Sequence, residues 1–191
     1  MYKQIEFEVK GVSALLLHNG RLADPANPIV IEMKKFSSKR KKTESDYAAM
    51  AELEWKGSLY LENGRVVLPG EMLEAAIING AKKKRQGTNA KIAVFVENNA
   101  LLQYAGSENI EELWEDENFR LTIGVVIRGS RVMRTRPRFK EWNTKIIVSY
   151  NDEIVDNDNV IDWVVTAGQQ CGLGDWRPKF GRFEVVNYKE L

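Results

Sequence analysis

Arg134-Thr135-Arg136-Pro137-Arg138 sets three guanidiniums at every second residue. In an extended strand that spacing places them on one face. Such a row cannot be buried without partners. Left in solvent, it lines a groove in which each cation neutralises a phosphate. The competing reading is an exposed strand paired with the acids of segment 109–118. Phe139 and Trp142 follow directly. Flat rings beside cations suit stacking on bases, although aromatics at such positions more often anchor a core.

A second constellation spans Gly168 to Val186 and holds four glycines, Arg177, Lys179, Arg182, Trp176 and Phe180. Glycines accept positive φ and let a ligand approach the backbone closely. Successive N–H groups in such a loop can form an anion-binding nest. Phosphate plus base is the ligand class that uses glycine backbone, cations and aromatic faces together. The plain alternative is a loop that needs glycine to pack, with Trp176 and Phe180 in the core. The run neither follows a strand nor opens a helix, which disfavours a P-loop or a dinucleotide-binding turn.

The isolated candidates carry less. His18, beside Asn19 and Gly20, could act as general acid or base. No Ser or Cys nucleophile signature accompanies it, and a structural role is the stronger reading. Asp24 in the same turn-rich stretch could bind a metal or position a water, but it lacks a defined partner. Cys171 reads as a small packing residue. One cysteine excludes an internal disulfide, and one cysteine with one histidine argues against zinc. No cofactor and no metal are expected.

The elements that must position these groups fit one domain over 191 residues. Twenty-eight Lys and Arg against 27 Asp and Glu leave a formal net charge of +1. Any attraction for a polyanion must therefore come from distribution rather than total. Basic residues gather at Lys34–Lys42 (Lys34, Lys35, Lys39, Arg40, Lys41, Lys42), at Lys82–Arg85, and along Arg128, Arg131, Arg134, Arg136 and Arg138. Acids gather at 108–117 and 152–158. No apolar run is long enough to span a membrane, and the N-terminus lacks the pattern of a secretion signal. A cytoplasmic address is expected.

Ile5–Val9 alternates as a half-buried strand. The basic run to Lys42 reads as an exposed, mobile loop. Thr43 or Ser45 caps a helix over 46–55, and Asn63-Gly64 turns a hairpin. Pro69-Gly70 opens a helix with a stripe of Met72, Leu73, Ala76 and Ile77. Segment 91–96 reads as a strand after a loop at 86–89, and 109–118 as an acidic helical insertion anchored by Trp114. Strands follow at 119–127, 131–138 and 146–150. A last helix, capped by Asn157 or Asp158, precedes the glycine run and a terminal strand over 183–188. Without the insertions at 31–57 (basic loop and helix) and 105–118 (acidic), the order is strand, helix, strand, strand, helix, strand. This is an α+β, ferredoxin-like βαββαβ core, the topology of RNA-recognition sheets.

Three segments together resemble the RAMP superfamily, the RNA-binding backbone and processing subunits of CRISPR effector complexes. Gly172-Leu173-Gly174-Asp175-Trp176-Arg177-Pro178-Lys179-Phe180-Gly181-Arg182-Phe183 resembles the family's glycine-rich loop. Leu68-Pro69-Gly70-Glu71-Met72-Leu73 resembles its proline-glycine-helix segment. Ala14–Gly20 followed by Asn27-Pro28 resembles the first-strand exit and loop of backbone subunits. The resemblance implies a modified RNA-recognition fold that lines up side by side along a guide RNA. Some such subunits cut target RNA with an aspartate in the first loop. Registration on Asn27-Pro28 puts Ala26 or Asn27 there, and Asp24 only after a shift, so binding without cutting is expected.

The expected function is thus a sequence-tolerant binder of single-stranded RNA, with single-stranded DNA as the lesser option. Self-association is head to tail or with other effector-complex subunits. Lys39, Arg40, Lys41, Lys42, Arg134, Arg136 and Arg138 would grip phosphates, and Arg136→Ala would flatten the salt dependence. Gly172, Gly174, Trp176, Arg177, Lys179 and Arg182 would form the loop against backbone or bases. Two readings stay open beside it. One is a metal-dependent ribonuclease using Asp24 or His18. The other is a protein-interaction module or inhibitor of a nucleoprotein complex, host-borne or phage-encoded.

Overall fold

The computed structural model describes residues 1–127 and 129–191, with Ile127 described by its backbone alone. Arg128, part of the third basic run and of the turn expected at 128–130, lies outside the described residues. Four strands form the central antiparallel sheet: β1 (Tyr2–Gly11), β5 (Val94–Phe95), β9 (Asn143–Asn151) and β10 (Phe183–Glu190), in the order β10-β1-β9-β5. Helix α3 (Gly70–Lys83) lies between β1 and β5 in sequence, and α6 (Asn157–Thr166) between β9 and β10. This is the expected ferredoxin-like βαββαβ core.

Alternation decides which sheet face is covered. Ile5, Phe7 and Val9 of β1 and Ile146, Val148 and Tyr150 of β9 are buried, and pack with Leu73, Ala76 and Ile77 of α3 and Val160, Trp163 and Val164 of α6. The opposite face carries Glu6, Glu8, Lys145 and Lys189, paired as Lys145–Glu8 at 2.6 Å and Lys189–Glu6 at 3.2 Å.

The remaining elements surround this core. Leu15-Leu16 (β2) pairs with β8 (Ser130–Phe139), which pairs along its length with β7 (Arg120–Ile127). β3 (Leu61–Glu62), β4 (Arg65–Leu68) and β6 (Ala100–Leu101) form a small third sheet. Asn63 and Gly64 turn its hairpin with φ of 50° and 78°, the left-handed pair that Asn-Gly supplies at low cost. Helix α2 (Glu44–Ser58) starts at a capping box in which Thr43 and Asp46 satisfy each other's backbone N–H. The short α5 (Ile110–Glu115) is the acidic insertion; Leu113 is its buried anchor, and Trp114 packs edge-on against Trp55 at 5.5 Å.

Three expectations fail locally. Residues 31–37 of the supposed basic loop belong to helix α1 (Pro28–Ser37), capped by Asn27 and opened by Pro28. Segment 87–93 is helix α4 (Gly87–Ala93), not loop and strand, and only Val94–Phe95 pairs with β9. The last helix is capped by Asp156, whose carboxylate accepts from Asn159 N–H at 2.8 Å, and it continues into a π-turn over Ala167–Cys171.

Candidate nucleic-acid interface

The arginine row of β8 does lie on one face, but it is engaged inside the protein. Glu54 projects from α2 onto the strand. Its Oε1 accepts from Arg136 Nη1 at 2.8 Å and lies 3.3 Å from Arg134 Nη1; its Oε2 accepts from Thr135 N–H at 2.9 Å. Arg136 Nε donates to Asp175 Oδ2 at 3.1 Å. The Arg136 side chain is 11% exposed and that of Glu54 9%, against 34% for Arg134. Arg138 donates to the Asn118 carbonyl at 3.2 Å. The acids that neutralise the row are therefore Glu54 and Asp175. The acidic insertion contributes only a backbone oxygen. Phe139 and Trp142 are buried: Phe139 packs with Tyr104 and Phe119, and Trp142 Nε1 donates to the Ser13 carbonyl. Neither ring is available to a base.

The glycine-rich loop divides between its two readings. Its backbone is stitched to the chain around β2. Asp175 N–H donates to Leu16 O at 2.7 Å, Gly181 N–H to Ala14 O at 2.8 Å, and Leu173 N–H to Gly181 O at 2.9 Å. Those donors are used in folding, so they form no anion nest. Gly174 and Gly181 have φ of 73° and 75°, and a Cβ would meet Leu16 O at 2.2 Å and Leu173 O at 1.8 Å. Here glycine serves close packing. The aromatics, however, are not in the core. Trp176 is 48% exposed and stacks on Phe180 at 5.5 Å, with Lys179 Nζ over both rings at 5.3 and 5.9 Å. A cation over a partly exposed ring stack offers charge and a π-surface at one place.

Across from this loop stands the C-terminal end of α3. Asn79, Lys82 and Lys83 form one wall of a cleft of about 660 Å³, and Asp175, Trp176 and Arg177 form the other. Lys83, Arg177, Lys179 and Arg182 have no ion-pair partner among the described residues, and Lys82 reaches only Asn79 Oδ1 at 3.1 Å. Lys82 and Lys83 look in the sequence like complements to a helix dipole. Only the fold brings them to the glycine-rich loop.

The other candidates are dispersed. Lys39 Nζ pairs with Asp46 at 2.6 Å and holds its carboxyl down at about 2, with the Thr43 N–H adding to the effect. Lys42 caps the Lys39 carbonyl at 2.9 Å, whereas Arg40 and Lys41 are exposed. Asp24 accepts from Ala26 N–H at 2.9 Å in a local turn. No group of three His, Cys, Asp or Glu side chains is arranged to hold a metal ion among the described residues. His18 lines a separate cavity under α1, where burial, then Arg136, lowers its pKa. Burial raises the Cys171 thiol, which suits packing rather than nucleophilic attack. Among the described helices none is long and apolar enough to cross a membrane.

No protein family matches the sequence, and no curated protein is detectably similar to it. Among solved structures, the fold is similar to a chain in the cryo-EM structure of the Type III-B Cmr-beta complex bound to cognate target RNA. The TM-score is 0.55 at 7% identity, over 100% of this chain and 61% of that one. The likeness is one of fold, and the chain spans about three fifths of that neighbour's length.

Proposed function

We propose that this protein binds single-stranded RNA in the cleft between α3 and the glycine-rich loop, as a subunit or relative of a CRISPR effector complex. The observation that carries the reading is the meeting of Lys82, Lys83 and Arg177 with the exposed Trp176 ring, backed by Phe180, in one cleft. Cations track phosphates, and a stacked ring pair accepts any base, so the binding tolerates sequence. The fold likeness to a chain of an RNA-bound Cmr assembly supports the choice of RNA. The central sheet's outer face is a lattice of opposite charges, and RNA follows the cleft instead. The separate acidic and basic patches suit head-to-tail assembly along one strand.

Fluorescence anisotropy with a labelled single-stranded oligoribonucleotide tests this. The three cleft cations Lys82, Lys83 and Arg177 predict a slope of log affinity on log salt of about −2. Replacing both Lys82 and Lys83 by Ala lowers its magnitude by about 1.4. A slope that does not change removes the cleft as the binding site. Light scattering with and without RNase reads the assembly: a large particle that collapses to monomers supports side-by-side binding.

A further inference from the structure

A second concavity lies under α1, apart from the cleft, with a volume of about 360 Å³. Its wall divides by chemistry. Lys34 of α1 and Arg134 of β8 supply charge, with Glu54 and Arg136 behind them; Leu22, Val30 and Met33 are apolar; His18 stands between. Three cations against one carboxylate leave the lining net positive by two charges. Arg136 is committed to Glu54 and Asp175. Among the described residues, Lys34 Nζ has no partner, the Arg134 guanidinium makes only its 3.3 Å ion pair, and the His18 ring makes no hydrogen bond. Unpartnered donors around a partly apolar cavity are what an anionic ligand satisfies.

We propose that this cavity binds one nucleotide unit, with its phosphate on Lys34 and Arg134 and its base against Leu22, Val30 and Met33. The volume lies in the range of about 300–1,000 Å³ usual for small-ligand sites. Val30 and Met33 stand one turn apart on α1 and present a continuous apolar strip to a flat ring. A neutral His18 offers one donor and one acceptor nitrogen to a base edge. The apolar half distinguishes the site from a simple phosphate cradle. The nucleotide is either free or one residue of a bound strand; only the second source rests on the RNA function proposed above.

Isothermal titration with adenosine and uridine 5′-monophosphates, with inorganic phosphate as control, tests the site. Val30→Trp fills it from α1, a helix with no buried residue. Arg134→Gln removes the available guanidinium while Arg136 and Thr135 still hold Glu54. Melting curves of both variants check that they fold. Either change weakens nucleotide binding about tenfold. If mononucleotides do not bind but Val30→Trp weakens the oligoribonucleotide tenfold, the occupant is a residue of the strand. Inorganic phosphate binding as tightly as the nucleotides overturns the proposal, because the apolar wall then contributes nothing. No mononucleotide binding together with full RNA affinity in Val30→Trp also overturns it. Failure of the cleft reading looks different: Lys82→Ala/Lys83→Ala then leaves RNA affinity intact.

Discussion

Replacing Arg136 by Met should damage stability rather than the electrostatics of RNA binding. The side chains of Arg136 and Glu54 are 11% and 9% exposed, so solvent screens their 2.8 Å contact little. Removing one partner of a buried pair costs about 3–5 kcal/mol, because the other charge is left uncompensated. Glu54 keeps Thr135 N–H at 2.9 Å and Arg134 at 3.3 Å, which puts the expected loss near the low end, about 3 kcal/mol. At about 2–4 °C per kcal/mol for a chain of this size, Tm falls by roughly 6–12 °C. Urea and thermal melts of Arg136→Met, Glu54→Met and the double variant form a cycle. The coupling should reach about 2 kcal/mol, since the double variant leaves no orphaned charge between the two positions. Folded Arg136→Met keeps the salt slope of RNA binding, because its charge is already neutralised by Glu54 and Asp175. A Tm within 2 °C of the parent (roughly 1 kcal/mol or less), or a slope shallower by one phosphate, refutes the reasoning.

Other outcomes follow from the same geometry. Trp176→Ala should weaken single-stranded RNA binding by about 1–3 kcal/mol by loss of base stacking, with little change in melting temperature because the ring is half exposed; unchanged affinity removes the stack from the interface. Gly181→Ala should destabilise by at least about 2 kcal/mol, since it combines positive φ with a collision against Leu173 O, and a urea midpoint equal to the parent's contradicts this. Asp46 titrates at about 2 in the folded protein, below its unfolded value of about 3.9. Its contribution is therefore fully present above the unfolded value and is lost as pH falls towards 2. Asp46→Asn should lower stability at neutral pH and narrow its gap to the parent as both are acidified; a gap independent of pH removes the Lys39 pair as the cause.

Much of the core was legible because it depends on local rules. The alternation of Ile5, Phe7 and Val9, the Asn63-Gly64 turn and the stripe on α3 each follow from a period or a turn preference. Helix α1 was hidden because Lys34, Lys35 and Lys39 dominate the composition of its surroundings, while Asn27 and Pro28 carry the quieter signal of a helix start. Segment 91–96 read as strand because Ile92, Val94 and Val96 favour β-structure, and over 91–93 helix packing overrode that preference. The site was legible in its residue types and not in their engagement. The spacing of Arg134 and Arg136 was visible, but Glu54 is one acid in a helix that reads as surface, and it meets them across some eighty residues. Lys82 and Lys83 were hidden for the opposite reason: a sufficient local explanation concealed their place opposite Trp176.

The position of β1 has a consequence for biosynthesis. It precedes both of its neighbours by a long stretch of chain: Ile5 pairs with Val148 on one side and Glu190 on the other. On the ribosome its apolar row waits until Asn143–Asn151 has been made before any sheet can close over it. Folding of the core therefore waits for Phe183–Glu190 to emerge, and it is slow because its pairings are distant. During that interval Ile5, Phe7 and Val9 are a surface for a chaperone, and pulse-labelled nascent chains should stay protease-sensitive until the segment bearing Phe183–Glu190 has emerged.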